Sequence, residues 1–370
     1  MVNRDEVIND FLDFAKIESL SLNERNIANK VKEKFSYVSD EIYEDDTSIK
    51  IGGNAGNIII NIKGDKNVPG ILLSAHMDTV GPVKNKKPFI SGDFIKTDGK
   101  TILGGDDIAG IVSILEAVKY IKKNKIEHGN IQIVISVAEE IGLLGVKNLD
   151  FDKINVKYGF VLDSTGDVGG VIIKSPSHNV IKTKIIGKSS HAGIEPEKGI
   201  NAIHIAANAI SKLNMGRIDD ETTMNVGVIE GGRAANVVCN EVNIESEIRS
   251  LNREKLELET SKFVEIFNEE AKKLGGKVKC EVKCEYRNYE IDKNSSIIDI
   301  LKIAAKESDL KLYLQSSGGG SDTNIYNEMG IDSVNLNVGA DKIHSVEEQI
   351  KIEDLVKSCE FVINIIKSIK

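Results

Sequence analysis

The residue pattern changes twice along the chain, near Ser175-Pro176-Ser177 and near Arg287-Asn288-Tyr289, and these two breaks restrict the fold most. Before the first, short apolar or β-branched runs (Asn57–Lys63, Ile71–His76, Ile131–Ala138, Tyr158–Asp163, Val168–Lys174) alternate with helical spacing such as Ile108–Lys122. Ser21-Leu22-Asn23-Glu24 has the form of a capping box and predicts a helix through Phe35. The unbroken apolar run Ile131–Ala138 suits a strand covered on both faces. Between the breaks the order is strand (Val180–Gly187), helix (Lys198–Leu213), strands (Thr222–Glu230 and Val242–Ser250), helix (Arg253–Leu274) and strand (Lys277–Tyr286). That βαββαβ unit has its own helices for one face of an antiparallel sheet. Afterwards the first pattern resumes, with helix Ile297–Lys306, strands Leu310–Leu314 and Ile331–Val338, and helix Glu353–Lys370. The expected fold class is α/β: a mostly parallel-sheet domain (1–176 and 288–370) interrupted by an inserted α+β domain (177–287).

A chain of 370 residues is long enough for about two domains. Lys+Arg number 48 and Asp+Glu 57, a formal charge of −9, which disfavours a phosphate backbone, so no nucleic-acid partner is expected. The longest apolar runs, such as Ile133–Ala138, fall far short of the about 20 residues a spanning helix needs, so no membrane partner is expected either. The N-terminus alternates acidic and apolar residues at helical spacing, unlike a signal peptide. Of the four cysteines, Cys239 and Cys359 are isolated. Cys280 and Cys284 fall about 13 Å apart on one strand, too far to bridge. All four are expected to be reduced, which points to the cytoplasm.

Polar residues that break the apolar pattern gather at strand ends, where ligands bind in open α/β sheets. The strand Ile71–Ala75 runs into His76-Met77-Asp78, and Gly104-Gly105-Asp106-Asp107 opens the helix at Ile108. Ala138-Glu139-Glu140 follows a buried strand, Asp163 ends another, and His344 follows Ile331–Val338. Singly these have ordinary readings: a strand-end histidine is usually structural, and an aspartate at a helix start is usually a cap. Together they concentrate negative charge that needs cations. Imidazole plus carboxylate suits Zn²⁺. Asp106, Glu140 and Asp163 ionised would carry −3 against the +4 of two zinc ions; a hydroxide completes the balance and leaves one Glu outside the metal ligands, available to take a proton from water. His128, His178 and His204 read as turn, hinge and packing residues and are not assigned to metal.

The segments HMDTV, LGGDDIAG, AEEIGLLG, VLDSTG and IHS, in this order with SSHAG and GGRAANVV between them, resemble the M20 metallopeptidases. The likeness covers nearly the whole chain and is strongest to the peptidase T, or tripeptide aminopeptidase, branch. It implies a di-zinc catalytic domain with a lid domain that mediates a homodimer. By that resemblance His76 and Asp163 bind one zinc, Glu140 and His344 the other, and Asp106 bridges them. Asp78 orients His76, and Glu139 is the general base. A cis peptide after Asp106 is also implied. The family commonly has Lys after the aspartate pair, where this chain has Ile108. His191 is implied to stabilise the oxyanion, in its own or a partner's site. Asn236 and Arg249 are implied to hold a substrate carboxylate, and the loop at Gly319 resembles the family's glycine loop beside the substrate backbone.

The implied reaction is zinc-dependent hydrolysis of short peptides, most of all release of the first residue of a tripeptide. Co²⁺ or Mn²⁺ could replace zinc in this ligand set. Dipeptidase, carboxypeptidase and N-acyl-amino-acid deacylase activities share the same chemistry. A non-catalytic metal-binding interaction protein is the alternative from another class; Glu139 and Asp78 argue against it, because a purely structural site needs neither.

Overall fold

The computed structural model describes residues 2–370. The chain begins with helices α1 (Arg4–Ala15) and α2 (Arg25–Phe35), then strands β1 (Glu41–Glu44), β2 (Ile58–Ile62) and β3 (Ile71–His76). Helix α3 (Gly105–Lys123) and strands β4 (Ile131–Ser136), β5 (Tyr158–Ser164) and β6 (Gly170–Ser175) follow. Then come β7 (Ser177–Ile186), α4 (Ala202–Ile210), β8 (Thr222–Gly231), β9 (Glu241–Ser250), α5 (Arg253–Lys273) and β10 (Lys277–Tyr286). The chain closes with α6 (Ser296–Glu307), α7 (Asp322–Glu328), β11 (Asp332–Asn337) and α8 (Ile352–Ser368). It divides into two compact units: Met1–Ile173 with Glu290–Ser316 and Ser321–Lys370, and Lys174–Tyr289 with Ser317–Gly320.

The first unit is built on a nine-stranded sheet, within which β1-β2-β4-β3-β5-β11-β6 are successive neighbours. Its four central strands, β4, β3, β5 and β11, are parallel. Every residue of β3 is buried, because helices cover the sheet and exclude water from both its faces. α3 packs on β3 and β5, and α8 on α3 and α6, while α2 packs on β2 and α7 on β5 and β11. The carboxyl ends of all four parallel strands therefore open on one rim, which the local sequence turns into a site.

Some local expectations change. The Ser21–Glu24 segment does not form a capping box: α2 starts at Arg25, and Ser21 Oγ donates instead to Asp78 Oδ2 at 2.7 Å. A tertiary acceptor thus outcompetes the local cap. The strand expected at Leu310–Leu314 is displaced to Tyr313–Ser316, where it pairs with β6. The helix expected from Lys198 begins at Ala202, capped by the Asn201 side chain. No helix among the described residues is long and apolar enough to cross a membrane.

The second unit is an antiparallel sheet in the order Gly216–Arg217, β8, β9, β7, β10. Ile181 and Ile185 on β7 and Val242, Ile244 and Ile248 on β9 point to one face, where they meet α4 and α5. On α5, Phe263 and Phe267 stand one turn apart, fully buried, with ring centroids 4.7 Å apart. Phe267→Ala should cost the second unit about 3–5 kcal/mol by opening a cavity that these neighbours cannot fill. Chemical denaturation checks this; a loss below 1 kcal/mol would show that the core collapses around the gap.

Candidate active site

The first unit's candidate residues lie on its rim: His76, Glu139, Glu140 and Asp163 at or just after strand ends, Asp106 at the start of α3 and His344 in the segment after β11. His76 ends β3 and is 2% exposed. Its Nε2 lies 3.1 Å from Asp106 Oδ1 and 3.4 Å from Asp163 Oδ1. On the other side of Asp106, Oδ2 lies 3.4 Å from His344 Nε2, which is 3.1 Å from Glu140 Oε1. One carboxylate therefore stands between two imidazoles, and each imidazole has a second acid of its own. The Asp107 carboxylate accepts the backbone N–H groups of His76 and Gly110, at 3.2 and 2.9 Å. The Asp106–Asp107 peptide bond is cis.

Backbone clamps hold these groups in place. His76 Nδ1 meets the main-chain oxygen of Asp78 at 2.9 Å, with the Asp78 carboxylate 3.5 Å away. That carboxylate accepts the N–H groups of Glu139 and Glu140, at 2.9 and 3.2 Å. The turn after β4 is further fixed where Val137 N–H donates to Asn57 and Ala138 N–H to Glu24, both at 3.1 Å. Ala138 takes a left-handed φ of +51° there. Asn335, on β11, clasps both the N–H and the carbonyl of Asp163, each at 2.9 Å. Ser21, Glu24, Asn57, Asn335 and Glu348 escaped the sequence reading. Of these, only Ser21 and Glu24 lay in a recognisable motif, and it pointed to a helix cap.

Burial decides the charge states. Burial pushes Asp163 up to about 7, against the pull of His76, and pushes Asp322, at the start of α7, up to about 6. Glu139 is raised well above the carboxylate range by burial, with Asp163 as the strongest neighbouring acid. Burial also pushes Asp106 up, but His344 and His76 outweigh it and hold this carboxylate below its usual range. Asp106 and Glu140 hold the His344 imidazole up to about 10. Acids that burial drives to keep protons are acids that a cation would ionise. The ligand atoms of His76, Asp106 and Glu140 lie within 4.8 Å of one another, as do those of His76, Asp107 and Asp163. Imidazole nitrogens and carboxylate oxygens so converged fit divalent transition-metal ions.

The second unit carries the remaining candidates. His191 is exposed in a turn whose Ala192 N–H donates to the Asn236 carbonyl at 3.0 Å, so the SSHAG and GGRAANVV segments adjoin. Arg249 Nη2 donates to Glu247 Oε2 at 3.0 Å, and that oxygen is 3.1 Å from His178 Nε2. Arg249 Nη1 lies 3.7 Å from where a side chain on Gly319 would begin.

Residues 72–368 match Peptidase family M20/M25/M40. The chain belongs to this family. It is thus a peptide-bond hydrolase by descent. The protein YqjE of Bacillus subtilis is 44% identical to it, covering 99% of each chain. The crystal structure of aminopeptidase PepT from Bacillus cereus shares 41% identity with a TM-score of 0.93, over 99% of both chains. A tripeptidase from Staphylococcus aureus shares 38% identity with a TM-score of 0.96, over 99% of this chain and 98% of that one.

Gly110 is the point where α3 rests on β5: a Cβ there would lie 2.3 Å from the Leu162 carbonyl, next to Asp163. Gly110→Ala must therefore shift either the Asp107 turn or the end of β5. The expected cost is about 1–3 kcal/mol of stability, with turnover falling further than a core substitution of equal cost would cause. Denaturation and peptide hydrolysis measured on one preparation decide it, and an unaltered pair of values refutes the close fit.

Proposed function

We propose that this chain is a metal-dependent aminopeptidase of short peptides, with free tripeptides its main substrates. The observation that carries the reading is Asp106, whose two oxygens face His76 and His344 separately. The similarity to a PepT aminopeptidase and a tripeptidase supports the choice of substrate. His76, Asp163 and Asp106 would hold one divalent cation, and His344, Glu140 and Asp106 a second; zinc is the first choice. When bound, such a pair supplies Lewis acidity at a carbonyl oxygen and at a water.

Glu139 adjoins Glu140 but lies outside the proposed metal ligands, which suits a carboxylate that takes a proton from water and gives it to the departing amine. The backbone clamp from Asp78 fixes where that carboxylate starts, so the transfer needs little reorganisation. Arg249, with Asn236 and the backbone at Gly319, is the proposed anchor for the substrate's terminal carboxylate; His191 is the proposed donor to the oxyanion, in a homodimer formed through the second unit. In this reading Glu247 already occupies one edge of the Arg249 guanidinium, leaving Nη1 for substrate.

Glu139→Gln should retain fold and metal content while turnover falls about 10²–10⁴-fold, the span of general-base catalysis. Glu140→Gln should lose metal as well. Metal analysis beside a tripeptide assay separates the two, and near-normal turnover in metal-replete Glu139→Gln would remove the base from the scheme. Arg249→Ala should weaken a free tripeptide by about 2–5 kcal/mol and leave its amide nearly unaffected. Equal losses on both peptides would make Arg249 a partner of Glu247 alone.

A further inference from the structure

Glu348 is 1% exposed and lies outside the proposed ligand set, yet its carboxylate receives three backbone N–H groups from one turn. Oε2 accepts from Leu103 at 2.8 Å and Gly104 at 2.7 Å, and Oε1 accepts from Asp106 at 3.0 Å. We infer that Glu348 is the positioning residue of the metal pair: it fixes the Leu103–Asp106 turn and so sets Asp106 between the two clusters. This inference rests on the two-cation reading.

Ionised carboxylates only accept hydrogen bonds, so three donors can converge on Glu348 without conflict. A glutamine there would turn its NH₂ against at least one of them. Glu348 is itself held firmly. Its N–H donates to Ser345, and it leads into the strand Gln349–Lys351, which pairs with both Phe94–Lys96 and Ala340–Asp341. The turn is equally confined on its far side. Gly104 has φ +75°, and a Cβ there would lie 2.8 Å from Lys86 Nζ and 3.0 Å from Thr79 Cγ2. Lys86 is 6% exposed, and its Nζ has no hydrogen-bond partner among the described residues. Its charge nevertheless opposes that of Glu348. The neighbouring Glu347 is exposed and pairs with Lys342 at 3.3 Å, so it provides a control.

Because Asp106 serves both clusters, losing its clamp must disturb both ions. Asn335 gives the contrast: it clasps Asp163, which belongs to the His76 cluster alone. The test is calorimetric titration of chelator-stripped protein with Zn²⁺, with circular dichroism of the metal-free form. Wild type and Glu347→Gln should take up two ions alike. Glu348→Gln should bind both ions about 10–100-fold more weakly, the usual effect of removing a group that orients a ligand. Asn335→Ala should weaken one ion only. Should Glu348→Gln fail to fold, Gly104→Ala carries the same expectation, because a Cβ at φ +75° against Lys86 and Thr79 displaces the turn that Glu348 holds. Folded Glu348→Gln with unchanged affinities, or with one ion weakened, overturns the inference. So does a lowered melting point of the metal-free form with affinities intact, and so does failure of both variants to fold. A wild-type protein that takes up no pair of ions refutes the two-cation reading itself.

Discussion

Carboxylates withdrawn from water persist only where something answers their charge, and the first unit gathers Asp78, Asp106, Asp107, Glu139, Glu140, Asp163 and Asp322 at one rim of its sheet. Two answers are built in. The parallel strands end there and the turns that follow expose backbone N–H groups, which Asp78, Asp107, Glu24 and Glu348 accept. Three further acids, Asp106, Asp163 and Glu140, face two imidazoles. The apolar strands and covering helices bury His76, which strengthens its contacts, while the His344 side chain stays half exposed.

The labour is divided between two kinds of residue. Asp106, Glu140 and Asp163 present their side chains toward the imidazoles, so those side chains cannot also hold the turns that carry them. Other side chains do that from elsewhere in the chain: Glu348 for Asp106, Asp78 for Glu140 and Asn335 for Asp163. Glycines at 110 and 145 let those turns sit against neighbouring carbonyls at distances no side chain would allow. A ligand that leans on a separate scaffold keeps its geometry before any ion arrives, which reduces the reorganisation that binding requires.

Most of the candidate residues were readable in the sequence because they interrupt an apolar run with a charge, as in HMD, AEE and VLD. The alternation of strands and helices was readable for the same reason: its periodicity is local. What could not be read were the clamps. A buried carboxylate such as Glu348 and an exposed one such as Glu347 are neighbours of the same type, and only the approach of a turn from a distant segment distinguishes them. Ser21 shows the same limit from the other direction, since its motif is a sound local signal overruled by an acceptor 57 residues away.

The clamp on Asp106 spans 242 residues, and its own partner His344 lies almost as near the end of the chain. Neither half of the rim is therefore complete in any fragment that ends before the last strands. In the order of synthesis the aspartate pair comes first, so the placement of Asp106 waits on a segment 242 residues further along.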